Sequence, residues 1–345
     1  MNRPGPHNCI TDVAGLKVGS YTDRQALCGC TVTLCPAGAV AGVDVRGAAP
    51  GTRETDLLDP VNLVERVHAI CLSGGSVYGL ACADGVVRWL GGQGIGFPLD
   101  DQGHVAPIVP GAVLFDLGRG AEFVPPVGPD WGRAACEAAG AGPVALGCVG
   151  AGTGAVAGGM KGGLGSASEA LESGVTVGAL VAVNSLGSLL DPASGRFWEL
   201  GLELEGEFGE RATQAKELPP WPPQAEPAKN TTIGMVATDA TLNKAQCAKV
   251  AQMAQDGLAR AIRPAHTMFD GDTIFALATG ERSLPSSPGV FGPPEATAVT
   301  EIGRAAADCL SRAIIRAVLA AEGLGGWPAF SDLSPRQANP FTRNG

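Results

Sequence analysis

Five prolines stand between Pro219 and Pro227, in the segment "KELPPWPPQAEPAKN", and no helix or sheet can be threaded through them. Proline has no N–H to give a ladder, and its fixed φ favours an extended, solvated path. The segment therefore reads as a surface linker, with one stretch of chain before it and a compact unit after it. That unit is α/β. A strand is expected at "TTIGMVATDA", followed by an amphipathic helix from about Leu242 to Ile262, with Leu242, Val250, Met253, Ala254 and Leu258 at helical spacing. A turn at "RPAHTMFDGD", a strand at "TIFALATG" and a helix near Glu295 to Glu322 complete it.

The first stretch alternates apolar runs with glycine turns. "CTVTLCP" and "AVAGVDVRG" read as two strands, since Val and Thr favour the extended chain. A short strand around Ala69 to Leu72 leads through a Gly turn into a helix starting near Gly75. Val77, Leu80, Ala81, Val86, Val87 and Leu90 form its apolar stripe. From Gly140 to Gly165 there are eleven glycines, so the backbone there must take positive φ or approach something closely. The buried strand in "GVTVGALVAVNSLGSLLD" ends at Asn184, a side chain that both donates and accepts.

Composition narrows the function classes. A hydrophobic content of 45% supports a packed core, and a net charge of −10 with only two Tyr argues against a nucleic-acid partner. No run of eighteen apolar residues and no signal-peptide pattern is visible, so a cytoplasmic protein that does not span a membrane is expected. Ten scattered cysteines read as reduced, buried thiols. Cys28, Cys30 and Cys35 lack the second paired half of a zinc site, so no metal and no cofactor is expected. A dinucleotide-binding protein is the competing class, because Gly150, Gly152 and Ala155 have G-x-G-x-x-A spacing. That fingerprint must open a helix, and Gly158, Gly159, Gly162 and Gly163 oppose one.

At the junction of linker and strand stands Asn230-Thr231-Thr232. A hydroxyl there can attack the carbonyl before it, and hydrolysis of the resulting ester frees an N-terminal threonine whose α-amine can serve as a base. An Asn-Thr-Thr at a strand start is also an ordinary sequence.

The surrounding motifs decide between these readings. "NCITDVAGLKVG", "AVAGVDVRGAAPGTRETDLLDP", "AICLSGGSVYGLACADGV", "GGMKGGLGSAS", "ALVAVNSLG", "KNTTIGMVATDATL" and "HTMFDGDTIFALATG" span most of the chain. With them the sequence resembles the P1 family of self-processing peptidases, which includes β-aminopeptidases, L-aminopeptidase/D-amidases and the nylon-oligomer hydrolase. The resemblance implies an αββα sandwich of stacked mixed sheets, one folding unit made of a 1–230 chain and a 231–345 chain, and assembly as a homo-oligomer. It implies autocleavage at Asn230-Thr231 with Thr231 as nucleophile, where many members have Ser. Lys161 matches a catalytic Lys, Asn184 a support for the oxyanion and Tyr78 a substrate-pocket residue. Asp270 and Asp272 match a pair that bonds the nucleophile's amine and hydroxyl, where β-aminopeptidases have Ser and Glu.

Elementary chemistry is compatible with those roles. Preorganised donors such as Asn184 stabilise an oxyanion. Residues two apart on a strand point the same way, so Asp270 and Asp272 could reach one ammonium. The charge of Lys161 would oppose protonation of a neighbouring amine. His266, beside the acids, reads as structural, since an N-terminal nucleophile supplies its own base. The implied activity is hydrolysis of a small amide or peptide substrate, with acyl transfer on the same scaffold as the alternative.

Overall fold

The computed structural model describes residues 3–209, 212, 214–215, 217–219, 230–284 and 294–334; most of the expected linker, residues 220–229, lies outside the described residues. The architecture turns on one strand. The two runs read as separate strands form a single element, β2 (Cys28–Val45), which follows β1 (Lys17–Asp23). Pro36 and Gly38 fall where β2 slips in register: Leu34 faces Ala69 and Ala39 faces Val67 on β4 (Arg66–Ser73). Proline cannot donate to the ladder and Gly38 takes a φ of 76°, so β2 bends at this irregularity instead of ending.

The remaining strands are β3 (Gly51–Arg53), β5 (Phe97–Pro98), β6 (Val105–Ala106), β7 (Gly111–Val113), β8 (Val156–Ala157), β9 (Met160–Lys161), β10 (Gly163–Ala170), β11 (Thr176–Val183), β12 (Ile233–Ala240) and β13 (Thr273–Arg282). The main sheet runs β10-β11-β12-β13-β2-β4-β7-β3, with β1 also on β2; β5–β6 and β8–β9 are small ribbons. Pairing is antiparallel except between β12 and β13 and between β4 and β7. The first half of β2 pairs with β1 and its second half with β13, while β4 pairs with it on both sides of the irregularity.

Alternation along the strands then builds three cores. Val181, Val236, Ile274 and Ala276 face α3 (Lys244–Ala261) and α4 (Ala296–Ala320), meeting Val250, Leu258, Leu310 and Ile314. Their neighbours Leu180, Met235, Phe275 and Leu277 face inward, against Ala41, Ile70, Leu72 and Leu114. On the far side Cys30, Val32 and Cys71 pack on α1 (Cys82–Gly92) and α2 (Pro129–Glu137) through Val86, Leu90 and Trp131. The layers are helix, sheet, sheet, helix, as expected, with the two sheet layers hydrogen-bonded into one through bent β2. A short α5 (Phe330–Leu333) follows.

Two local readings change. The helix expected from Gly75 begins as a 3-10 segment, Ser76–Ala81, because Gly75 and Ser76 take φ of 83° and 51°. Val77, assigned to the apolar stripe, is consequently 64% exposed. The start of α3 is fixed by a reciprocal cap that the apolar spacing did not reveal. Asn243 accepts from the Gln246 N–H at 2.9 Å, and the Asn243 N–H donates to Gln246 Oε1 at 2.9 Å. All ten cysteines are buried and free of disulfides. Among the described residues no helix is long and apolar enough to cross a membrane.

Close approach of α3 to α4 depends on Gly257, where a Cβ would lie 2.0 Å from the Ala307 carbonyl oxygen. The same turn bonds to α4 through Ser311 Oγ and the Gly257 carbonyl at 2.7 Å. Gly257→Val is expected to destabilise the protein by about 1–3 kcal/mol, the cost of forcing two packed helices apart. Denaturant unfolding measures it, and an unchanged midpoint would show that the helices part freely.

Candidate active site

Three strands bring the site together. Ala182 of β11 faces Ile233 of β12, and Ile233 faces Thr273 of β13, so Asn184, Thr231–Thr232 and Asp272 meet at one edge. The Thr231 N–H donates to the Asn184 carbonyl at 2.6 Å, and the Thr273 N–H to the Thr232 carbonyl at 3.2 Å. Thr231 is buried. Its Oγ1 lies against the Asn230 carbonyl oxygen, to which it donates, and accepts the Gly271 N–H at 3.2 Å.

The two acids are held by different partners. Asp272 Oδ1 accepts the Thr232 N–H at 2.8 Å, while Oδ2 accepts the His266 N–H at 3.0 Å and lies 2.9 Å from His266 Nδ1. Asp270 Oδ2 accepts from Thr267 N and Oγ1 at 2.9 and 2.5 Å, and Oδ1 accepts the Leu186 N–H at 3.4 Å. Alternate residues share a direction only inside a strand, and β13 begins after these acids, at Thr273. Between the acids it is the backbone, through the Gly271 N–H, that meets the Thr231 hydroxyl. Burial, and next the charge of Asp272, push the Asp270 carboxyl above its usual range, against the Thr267 and Leu186 donors. His266 is tied to Asp272 at a φ of 56°, a left-handed conformation costly for a residue with a Cβ.

Lys161 is 2% exposed on β9, where it pairs with Val156 of β8. Its Nζ donates to the carbonyls of Thr153 and Ala155 at 2.9 and 2.7 Å. Burial lowers its pKa from 10.5 to about 8; the charge of Arg119 adds to this, and Cys148 and Asp116 oppose it. The Val156 N–H donates to Asn184 Oδ1 at 3.0 Å, so the cross-strand partner of Lys161 is bonded directly to Asn184.

Asn184 shows what the sequence reading missed. Besides Val156, Arg119 Nη1 donates to its Oδ1 at 2.5 Å and to the Gly154 carbonyl at 2.5 Å, while Asn184 Nδ2 donates to the Phe115 carbonyl at 3.2 Å. Asp116, 1% exposed, accepts the Gly75 N–H at 2.6 Å and attracts the Arg119 charge. The available signal was "LFDLGRG", two opposite charges three residues apart directly after a buried strand. Tyr78 is 51% exposed on the 3-10 segment beyond Gly75, where its N–H donates to the Gly75 carbonyl. The Gly150–Gly152 segment is a single 3-10 turn and opens no helix, so the dinucleotide fingerprint lacks its defining context.

Comparison with known proteins identifies the family. The model of peptidase family S58 matches residues 8–329. An uncharacterized aminopeptidase of Mycobacterium tuberculosis is 50% identical over 344 residues, covering 95% of this chain and 98% of the relative. A 6-aminohexanoate-oligomer endohydrolase of Kocuria sp. is 32% identical over 320 residues, covering 89% of this chain and 84% of the relative. Among solved structures, a Burkholderia sp. beta-aminopeptidase superposes with a TM-score of 0.69 at 25% identity, covering 95% of this chain and 92% of that one. The L-aminopeptidase D-Ala-esterase/amidase of Ochrobactrum anthropi, described as a new variant among the Ntn hydrolase fold, has the same fold, with a TM-score of 0.70 at 24% identity and coverage of 96% and 90%. With its layered fold and a polar site at the ends of β11, β12 and β13, the chain belongs to peptidase family S58 and is a peptidase or amidase of the Ntn-hydrolase fold.

Proposed function

We propose that the protein cuts its own chain between Asn230 and Thr231 and then uses Thr231 as the N-terminal nucleophile of an aminopeptidase or small-amide hydrolase. The observation that supports this best is the setting of one hydroxyl. Thr231 Oγ1 lies beside the Asn230 carbonyl and accepts the Gly271 N–H, while the Thr231 N–H is held by Asn184. In the first step Oγ1 bonds to the Asn230 carbonyl carbon, the C–N bond breaks, and the hydroxyl proton ends on the departing nitrogen. Water then hydrolyses the ester, leaving an Asn230 carboxylate and a free Thr231 α-amine.

In turnover that amine, with a reference pKa of about 8, takes the Oγ1 proton as the oxygen attacks a substrate carbonyl. An acyl-Thr231 intermediate forms, the substrate amine leaves, and water releases the acid. Asn184 supports the oxyanion. The Asp272 carboxylate, bonded to the Thr232 N–H, is one residue from the new amine and holds it in place. Lys161, buried behind Asn184, opposes protonation of that amine. Relatives named aminopeptidase and 6-aminohexanoate-oligomer endohydrolase direct the choice of substrate toward small amides and peptides with a free amine. The working unit is a homo-oligomer of two-chain protomers, with Tyr78 at the substrate pocket.

The mature protein should yield on denaturation a fragment of about one third of the 34.7 kDa chain, and hydrolyse a panel of amino-acid p-nitroanilides or aminohexanoate oligomers. Thr231→Ala should stay whole and inactive, whereas Thr231→Ser, which keeps a hydroxyl, should still cut. Cleavage of the Thr231→Ala chain at the same bond would end this mechanism. Asp272→Ala should lower amidase activity on the order of a hundredfold while the fold persists, because the nucleophile loses its attack geometry.

Lys161→Met tests the buried charge. The folded-state pKa of Lys161 lies at about 8, below its ordinary 10.5, so between those values the native state has released a proton that the unfolded chain retains. Stability contributed by this group therefore rises with pH across that window. Denaturant titrations should find the difference, parent minus Lys161→Met, more favourable to the parent near pH ~10 than near pH ~7. A difference independent of pH would show that Lys161 carries no penalised charge.

A further inference from the structure

A side-chain amide can be turned end for end with almost no change in shape, so its direction is decided by its partners. Asn184 receives two donors on Oδ1, from Val156 N and Arg119 Nη1, and directs Nδ2 at the Phe115 carbonyl. Reversal would set the NH2 group against an N–H and a guanidinium, and the amide oxygen against a carbonyl. Of these partners Arg119 alone is charged. It is anchored in turn by the Gly154 carbonyl and by its attraction to Asp116, whose Oδ1 is fixed on the Gly75 N–H.

We infer that Arg119 is a positioning residue for catalysis: it fixes which end of the Asn184 amide is the donor and strengthens that donor. The inference rests on the reading of Asn184 as the oxyanion support. Donation from a permanent cation to Oδ1 draws electron density out of the amide, and hydrogen bonds in series reinforce one another in a dry site. The planar guanidinium does this in a fixed geometry that an ammonium on a flexible stem cannot copy. The charge of Arg119 also helps to lower the pKa of Lys161, which places both cations in one electrostatic unit behind the strand ends.

The test is a double-mutant cycle on the full chain, reading kcat and KM for an amino-acid p-nitroanilide and, in parallel, the rate of self-cutting. Arg119→Met is expected to lower kcat about ten- to hundredfold, the loss of one hydrogen bond from a charged donor, with KM little changed. Arg119→Lys should recover part of that loss. In an Asn184→Ala background the same Arg119→Met change should cost less than about twofold, because its effect passes through Asn184. An equal factor in both backgrounds would overturn the inference and leave the Asn184 reading intact. Parent-like kcat in Asn184→Ala itself would remove that reading, and the inference with it. If Arg119→Met fails to fold, Arg119→Lys runs the same cycle, and a shifted melting temperature with unchanged kcat refutes the positioning role.

Discussion

Burial of charge is the constraint on which this structure depends. Asp116, Lys161, Asp270 and Asp272 are each no more than 2% exposed, and an unpartnered ion at such depth would cost more than the domain's net stability. The molecule answers largely with backbone. N–H groups of Gly75, Thr232, His266, Thr267 and Leu186 serve the acids, and carbonyls of Thr153 and Ala155 serve the lysine. Side-chain partners would need room; main-chain groups need only a loop of the right path. That requirement gives the glycines their meaning. A Cβ on Gly154 would lie 2.0 Å from the Leu27 carbonyl oxygen and within 2.7 Å of the Asp116 carboxylate, so the loop that faces Lys161 and Arg119 accepts no side chain there.

Much of the fold could be read from local pattern, and the exceptions are informative. Apolar spacing located α3, α4, β11 and β13 because each buries one continuous face, a property that neighbouring residues report by themselves. The same reasoning divided β2 in two, since Pro36 and Gly38 look like an end to any rule that cannot see the partner strand slipping past them. Whether a proline ends a strand or bends it is decided by pairing at long range. Gly75 and Ser76 hid the onset of α1 in the same way, because a left-handed pair carries no apolar signature.

The site was legible only as far as its residues lie in distinctive strings. Thr231, Asn184 and Asp272 sit at strand ends, and the register of β11, β12 and β13 brings them to one edge. Arg119 and Asp116 belong to a loop that no periodicity describes, and their importance comes from what they touch. Burial of a lysine is no guide either. Lys244 is as deeply set as many functional cations, yet its ammonium donates to the carbonyls of Leu57, Asn62 and Val64 at 3.0, 2.9 and 3.2 Å and fastens a loop to α3. The Lys161 ammonium also binds carbonyls; what distinguishes it is a neighbour that bonds Asn184.

The strand order has a consequence for the chain as a polymer. β12 and β13, both downstream of the proline segment, lie side by side between β11 and β2, both upstream of it. Each outer edge of the downstream pair is therefore zipped to upstream backbone. The downstream portion is an inlay rather than a lobe. Made alone it would present a two-stranded ribbon with both edges bare, the kind of surface on which other chains pair and aggregate. The continuous polypeptide is thus the form in which this part of the sheet can be delivered to its slot.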